Sequence, residues 1–377
     1  MAKAMAVEDV NYSEEQDFAS SNLNGVIPVR KRPPAQLYSR SMSSGLDFLD
    51  MLRLQKRCDQ NGEDWVNVCE ELGDHDSEYA KEELAKGHTV TARYFFFAAA
   101  AVYRIGQYGL QTITDEKMRI YHKMDDSFAE AAKLYEPAMK QVKIPYKDYD
   151  MEGWLIVPKD IPEKCPIVLM IPGATGFKEE YMQQSQNMID RGMAVLLMDG
   201  PGQGTTLYFN NGYLEVEVEK AYSKMIDYIV EDGRFGKIGI CGGSTGGYYV
   251  PRAAATDKRI HACVMNAGSY YPKEICNNFP AYHHKFALLC GVSDDEMNEL
   301  WKKMTLEGLA CQIDCSLLIV HGDQDPTFSL EGVKRVYTES PSKDKEIVVY
   351  PGAGHCSCGI ENESYQKMAD WLSERLK

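Results

Sequence analysis

Lys237-Ile238-Gly239-Ile240-Cys241 is a short apolar run that breaks at once into Gly242-Gly243-Ser244-Thr245-Gly246-Gly247, and a helix-compatible segment opens at Tyr248. The pattern reads as a buried strand, a tight turn and a helix, with Gly-x-Ser-x-Gly spanning the turn. So sharp a turn holds the serine in a strained backbone conformation, and a side chain at Gly242 or Gly246 would collide with the neighbouring strand or helix. Ser244 is thereby lifted to the carboxyl edge of a sheet as a candidate nucleophile. Taken alone, the motif is also compatible with a glycine-rich loop that happens to carry a serine.

The surrounding chain supplies the sheet. From about Met139 the apolar period becomes two, and Gln141–Tyr146 and Met151–Val157 read as antiparallel strands about a turn at Tyr149 and Asp150. Strand-like runs then recur at Pro166–Ile171, Met193–Met198, Ile238–Cys241, Ala262–Met265, Ser316–Val320 and Glu346–Tyr350, with helical segments between them. Alternation of this kind predicts an α/β fold with a mostly parallel, doubly wound sheet, whose ligands sit beyond the carboxyl ends of the strands.

Upstream the pattern is helical. Residues 1–40 show no sustained period and are expected to form a flexible arm, and residues 41–138 a helical module. In that module Leu46–Leu54 and Trp65–Leu72 are amphipathic, Thr89–Tyr108 is apolar around most of its circumference, and Thr114 caps a helix running to Tyr135. The excursion at about 270–311, with Phe279, Tyr282, Phe286, Trp301 and Met304, is expected to form a helical lid inserted into a domain at 139–377. Its aromatic residues suit either a substrate chamber or plain helix packing.

A net charge of −15 and a pI near 5.1 argue against nucleic acid or an anionic membrane surface as partner. Eleven cysteines lack paired CxxC spacing, and with a polar, acidic opening segment they point to a reducing cytoplasm. The apolar run Tyr94–Tyr103 is about half the length of a membrane span.

Two further loops complete a reactive set. Leu318-Ile319-Val320-His321-Gly322-Asp323-Gln324-Asp325 is a strand ending in acids, and Tyr350-Pro351-Gly352-Ala353-Gly354-His355 a strand ending in a histidine. Ser244, Asp325 and His355 therefore occur in the order serine, acid, base, each just past a core strand. A serine hydroxyl is a poor nucleophile until an imidazole takes its proton and a carboxylate orients that imidazole. Asp325 is preferred to Asp323, which suits a turn cap, and His321 suits a packed core histidine. The backbone amides of Thr245 and Ala174, the latter in Pro172-Gly173-Ala174-Thr175, are candidate oxyanion donors. Asp199-Gly200-Pro201-Gly202-Gln203-Gly204 reads as a rigid turn shaping a pocket wall, with no chemistry assigned. Thr175, Tyr270, Tyr282 and Glu274 are candidate pocket residues. Cys356 and Cys358 are too close to His355 to share a tetrahedral ion easily, so no metal and no cofactor are expected.

These motifs resemble the alpha/beta-hydrolase superfamily over residues 140–377. More narrowly they resemble the group containing 2,6-dihydroxypseudooxynicotine hydrolase, the FrsA-like esterases and the fungal Ayg1-type polyketide hydrolases. The narrower likeness rests on the helical module, on Asp199–Gly204, on Gln312-Ile313-Asp314-Cys315, and on Gly354-His355-Cys356 with Met368-Ala369-Asp370-Trp371-Leu372. The resemblance implies a Ser244–His355–Asp325 triad, an amino-terminal helical cap, a homodimer, and cleavage of esters or of carbon–carbon bonds beside a ketone. The expected activity is a serine hydrolase acting on a small, largely apolar or aromatic ester or ketone. Acyl transfer or cyclisation in a biosynthetic pathway, and a non-catalytic ligand sensor, are the alternatives.

Overall fold

The computed structural model describes residues 40–110, 112–159 and 163–377. The expected arm at 1–40 lies, apart from its last residue, outside the described residues. The described residues divide into two compact units, one before and one after the boundary between Met139 and Lys140.

In the amino-terminal unit, helices Trp65–Ala85, Thr89–Tyr108 and Asp115–Lys133 pack with the apolar middle helix against both others. Glycines set the closeness of the first pair. A Cβ on Gly73 would lie 2.5 Å from the Tyr103 ring, and one on Gly106 would lie 2.8 Å from the Cys69 Cβ. Thr114 caps the third helix by accepting a hydrogen bond from the Lys117 amide at 3.2 Å.

The second unit is built on eight strands: β1 Met139–Tyr146, β2 Tyr149–Ile156, β3 Cys165–Ile171, β4 Ala194–Met198, β5 Phe235–Gly243, β6 Ile260–Asn266, β7 Ser316–Gly322 and β8 Lys345–Tyr350. Their order in the sheet is β1-β2-β4-β3-β5-β6-β7-β8. β2 runs antiparallel to β4, and every pairing from β4 through β8 is parallel. This is the mostly parallel, doubly wound sheet expected from the alternation, in the alpha/beta-hydrolase fold that the resemblance implies. The β1–β2 turn falls at Lys147-Asp148, two residues earlier than expected, because Lys147 adopts the left-handed φ of +54° that a two-residue hairpin needs.

β3 and β5 are buried along most of their length, as strands covered on both faces must be. The helices at 282–290 and 294–301 join the same apolar core, with Phe286 and Trp301 stacked at 4.7 Å. Parallel registry aligns the strand ends: Ile171 pairs with Gly242, Gly243 with Asn266, and Gly322 with Tyr350. The loops after five strands therefore meet along one edge. Among the described residues no helix is long and apolar enough to cross a membrane.

Candidate active site

The turn after β5 explains its glycines. A Cβ on Gly242 would lie 2.5 Å from the Gly246 carbonyl oxygen, and one on Gly246 would lie 2.6 Å from the carbonyl oxygens of both Ile171 and Pro172. Only with those side chains absent does the chain reverse directly into the helix Gly246–Thr256. Ser244, at the crest, has a φ of +58°. A non-glycine residue in that region is strained, and surrounding contacts must hold it there. One such contact is the Ser244 amide, which donates to the Asn266 carbonyl at 3.0 Å. Gly246→Ala is expected to destabilise the fold by about 1–3 kcal/mol, since it forces two backbone carbonyls apart; a urea unfolding curve measures this.

Asp325 and His355 arrive on loops that are themselves in backbone contact. A Cβ on Gly322 would lie 2.1 Å from the Ala353 carbonyl oxygen, and the Gln324 amide donates to that same carbonyl at 3.1 Å. The Asp323 carboxylate accepts from the Gly352 amide at 2.8 Å, clamping the two loops together. Asp325 is left to meet the imidazole: its Oδ2 lies 2.8 Å from His355 Nδ1, and its Oδ1 accepts from the Thr327 and Phe328 amides at 2.7 and 3.2 Å. His355 Nε2 lies 2.7 Å from Ser244 Oγ. Ser244, His355 and Asp325 thus form one continuous hydrogen-bonded chain.

The pKa shifts of the three residues follow from their contacts. Burial would raise the Asp325 pKa, but the imidazole of His355, His321 and the Thr327 amide outweigh it and hold the carboxyl below its ordinary value. Burial opposes the imidazolium of His355, but the Asp325 carboxylate and the Cys356 thiol overcome it and place His355 well above the ordinary histidine value. His321 goes the other way. It is fully buried, its Nε2 is 3.1 Å from the Phe328 carbonyl and 3.8 Å from Asp325 Oδ2, and desolvation pulls its pKa down. Its Nε2–H therefore props the acid loop by donating to Phe328.

The loop after β3 lies against the serine. A Cβ on Gly173 would be 3.0 Å from Ser244 Cβ and 3.5 Å from its Oγ, and Ala174 and Thr175 are the next two residues of that loop. The other expected pocket residues are placed differently. The Tyr270 hydroxyl donates to Glu339 at 2.9 Å under the Arg335 guanidinium, and Glu274 accepts from the amide and hydroxyl of Ser329 at 2.9 Å each. Both polar groups are thus committed to the 329–339 segment. Tyr282 stacks edge-on against Phe279.

Two residues at this edge escaped the reading of the sequence. Asn266 holds Ser244 through its carbonyl, and its side-chain oxygen accepts from Ser357 at 3.4 Å in the histidine loop. Gln203 donates through Nε2 to the carbonyls of Pro172 and Gly173, at 2.5 and 3.2 Å. Beside it, the buried Lys178 ammonium sits 3.1 Å from Asp199 and 2.6 Å from Glu179, and the Asp199 carboxylate also accepts from the Lys178 and Thr205 amides. Among the described residues no cluster of three or more His, Cys, Asp or Glu could hold a metal ion.

Comparison with known proteins agrees with this architecture. The prolyl oligopeptidase family model matches residues 179–377, and the esterase FrsA-like model matches residues 62–267. The chain is 26% identical over 347 residues to 2,6-dihydropseudooxynicotine hydrolase of Paenarthrobacter nicotinovorans, covering 90% of this chain and 91% of that protein. It is 30% identical over 223 residues to 20-hydroxy-prefusarin hydrolase FUS2 of Gibberella moniliformis, covering 56% of this chain and about half, 53%, of the relative. The crystal structure of 2,6-dihydroxy-pseudo-oxynicotine hydrolase superposes with a TM-score of 0.83 at 24% identity, over 90% of this chain and 95% of that one. Each of the two family models spans more than half of the sequence, and the fold they imply is the one observed, so the chain belongs to the prolyl oligopeptidase and FrsA-like esterase families and is an alpha/beta-hydrolase enzyme.

Proposed function

We propose that this hydrolase works through an acyl-enzyme on Ser244, with His355 as general base and Asp325 as the acid that orients it, on a small, largely apolar or aromatic ester or ketone. The observation that carries the reading is the unbroken chain from a left-handed serine through His355 to Asp325, at 2.7 and 2.8 Å. Ser244 Oγ attacks the carbonyl carbon as its proton passes to His355 Nε2, and the oxyanion is received by the amides of Thr245 and Ala174. His355 then returns the proton to the departing alkoxide or enolate, and water repeats the sequence on the acyl group. With Glu274 engaged by Ser329, His355 is the assigned proton donor to the leaving group.

A small-molecule substrate is supported by the relatives, each named for hydrolysis of one. Hydrolysis is tested by turnover of p-nitrophenyl esters and β-diketones in 18O-labelled water. One labelled oxygen in the released acid supports the reading, and an acyl group captured by another nucleophile overturns it in favour of acyl transfer. A cytoplasmic homodimer completes the proposal. The thiols of Cys69, Cys165, Cys241 and Cys263 buried in the core support the reducing compartment, and the exposed Phe48, Leu49 and Leu52 on one short helix support the dimer. Light scattering reads the assembly state.

A further inference from the structure

The loop that abuts Ser244 is held from within by one bond, the Gly176 amide donating to the Gly173 carbonyl at 3.2 Å, and from outside by Gln203. Both carbonyls at its start, Pro172 and Gly173, accept from Gln203 Nε2, and the Gln203 Oε1 in turn accepts from the Gly200 amide at 2.8 Å. Gln203 is 2% exposed, so these bonds are made out of water, where an unmet carbonyl costs most. The turn carrying Gln203 is itself fixed. Asp199 Oδ2 accepts from the Thr205 amide at 3.0 Å, and Gly204, at a φ of +39°, lies so close to that carboxylate that a Cβ there would be 1.9 Å from it.

The geometry of the peptide bond turns this strap into a chemical device. A trans peptide is planar, so its N–H points opposite to its C=O. Drawing the Gly173 carbonyl toward Gln203 therefore aims the Ala174 N–H away from Gln203. Drawing the Pro172 carbonyl the same way fixes the preceding plane. Gly173, between the two planes, has no side chain to resist rotation, and its bare α-carbon lies against Ser244. Without Gln203 the Pro172 carbonyl loses the side chain that anchors it and the Gly173 carbonyl keeps only the Gly176 amide, so the two planes are less firmly set, and a carbonyl oxygen turned toward the developing oxyanion would repel it.

We propose that Gln203 is a positioning residue for catalysis: through the Pro172 and Gly173 carbonyls it sets the orientation of the Ala174 amide toward the tetrahedral intermediate. This rests on the acyl-enzyme reading above. It assigns to the Asp199–Gly204 turn a part in transition-state stabilisation in place of a passive wall.

The test is Gln203→Met, which keeps length and burial and removes both donated bonds, with Gln203→Asn, which keeps the amide and shortens its reach. Wild type and variants are compared for kcat and KM on a p-nitrophenyl ester, and for affinity toward a trifluoromethyl ketone, which forms a tetrahedral oxyanion adduct, against the parent methyl ketone, which binds as a ground-state mimic. The expected result is a kcat lowered roughly ten- to hundred-fold, with an equal loss of trifluoromethyl ketone affinity. KM and methyl ketone affinity stay within about twofold and the acid limb keeps its wild-type position, since the triad is untouched. Equal losses for both ketones, or kcat and adduct affinity both within twofold of wild type, overturn the proposal. Should Gln203→Met not fold, Gln203→Asn is judged by the same criteria. The acyl-enzyme reading fails separately, if wild type itself neither turns over the ester nor is labelled at Ser244 by a fluorophosphonate.

Discussion

Ser244→Ala will abolish fluorophosphonate labelling and lower kcat on any accepted ester by roughly 10⁴- to 10⁶-fold, with a folded protein and little change in ligand binding. The magnitude follows from what the side chain alone supplies. Among the described residues the hydroxyl bonded to His355 Nε2 is Ser244 Oγ, at 2.7 Å, and removing the nucleophile of a triad costs nearly as much as removing the whole triad. The residual rate comes from the amides near Ala174 and Thr245, which still polarise a bound carbonyl for attack by water. Alanine also keeps the Cβ that a φ of +58° has already had to accommodate, so its melting temperature is expected to stay close to wild type. Full turnover by the variant, or labelling at another residue, would remove Ser244 from the mechanism.

Asp325→Asn is the second large effect, expected near 10⁴-fold in kcat, with a displaced pH profile. An asparagine amide in place of Oδ2 would donate to His355 Nδ1 and so leave the ring proton on Nε2, facing the serine it should deprotonate. The sign of the pH effect follows from the wild-type site. His355 acts as a base only when neutral, and its pKa stands well above the ordinary 6.5, because the Asp325 carboxylate and Cys356 thiol overcome a burial penalty that acts the opposite way. The acid limb of wild-type kcat/KM therefore lies above pH 6.5, with activity rising as pH increases through it. In Asp325→Asn the largest attraction is gone and burial remains, so the limb moves to lower pH while the plateau falls. A limb that stays in place in the variant would show that another group sets the titration.

How far these residues were legible depended on the range of the interactions behind them. The strand runs, the serine turn and the ends of β7 and β8 are written locally, in apolar runs broken by glycine. The distinction between Asp323 and Asp325 was also local, because an acid two residues further from the strand reaches past the turn. Other features depend on partners far away in the chain. Gln203 reaches carbonyls about thirty residues earlier, and Asn266 joins the serine turn to Ser357, 91 residues later. No period or motif within Asp199–Gly204 announces that its glutamine will face another loop. Tyr270 and Glu274 show the converse. Their residue types suit a chamber, yet the 330–339 helix supplies Glu339 and Arg335 to one, and its capping residue Ser329 to the other. The hairpin at Lys147 was displaced because lysine gives no composition signal for a left-handed turn.

His321 is the second imidazole beside the acid, and it is closed off from solvent. Its Nε2 is spent on the Phe328 carbonyl, its Nδ1 has no partner in the interior, and burial keeps the ring neutral at physiological pH. Asp325 thus has a buried ring 3.8 Å away on one side and the His355 imidazole at 2.8 Å on the other. Of the two imidazoles beside Asp325, only His355, 19% exposed, is open to solvent, while His321 is fully buried.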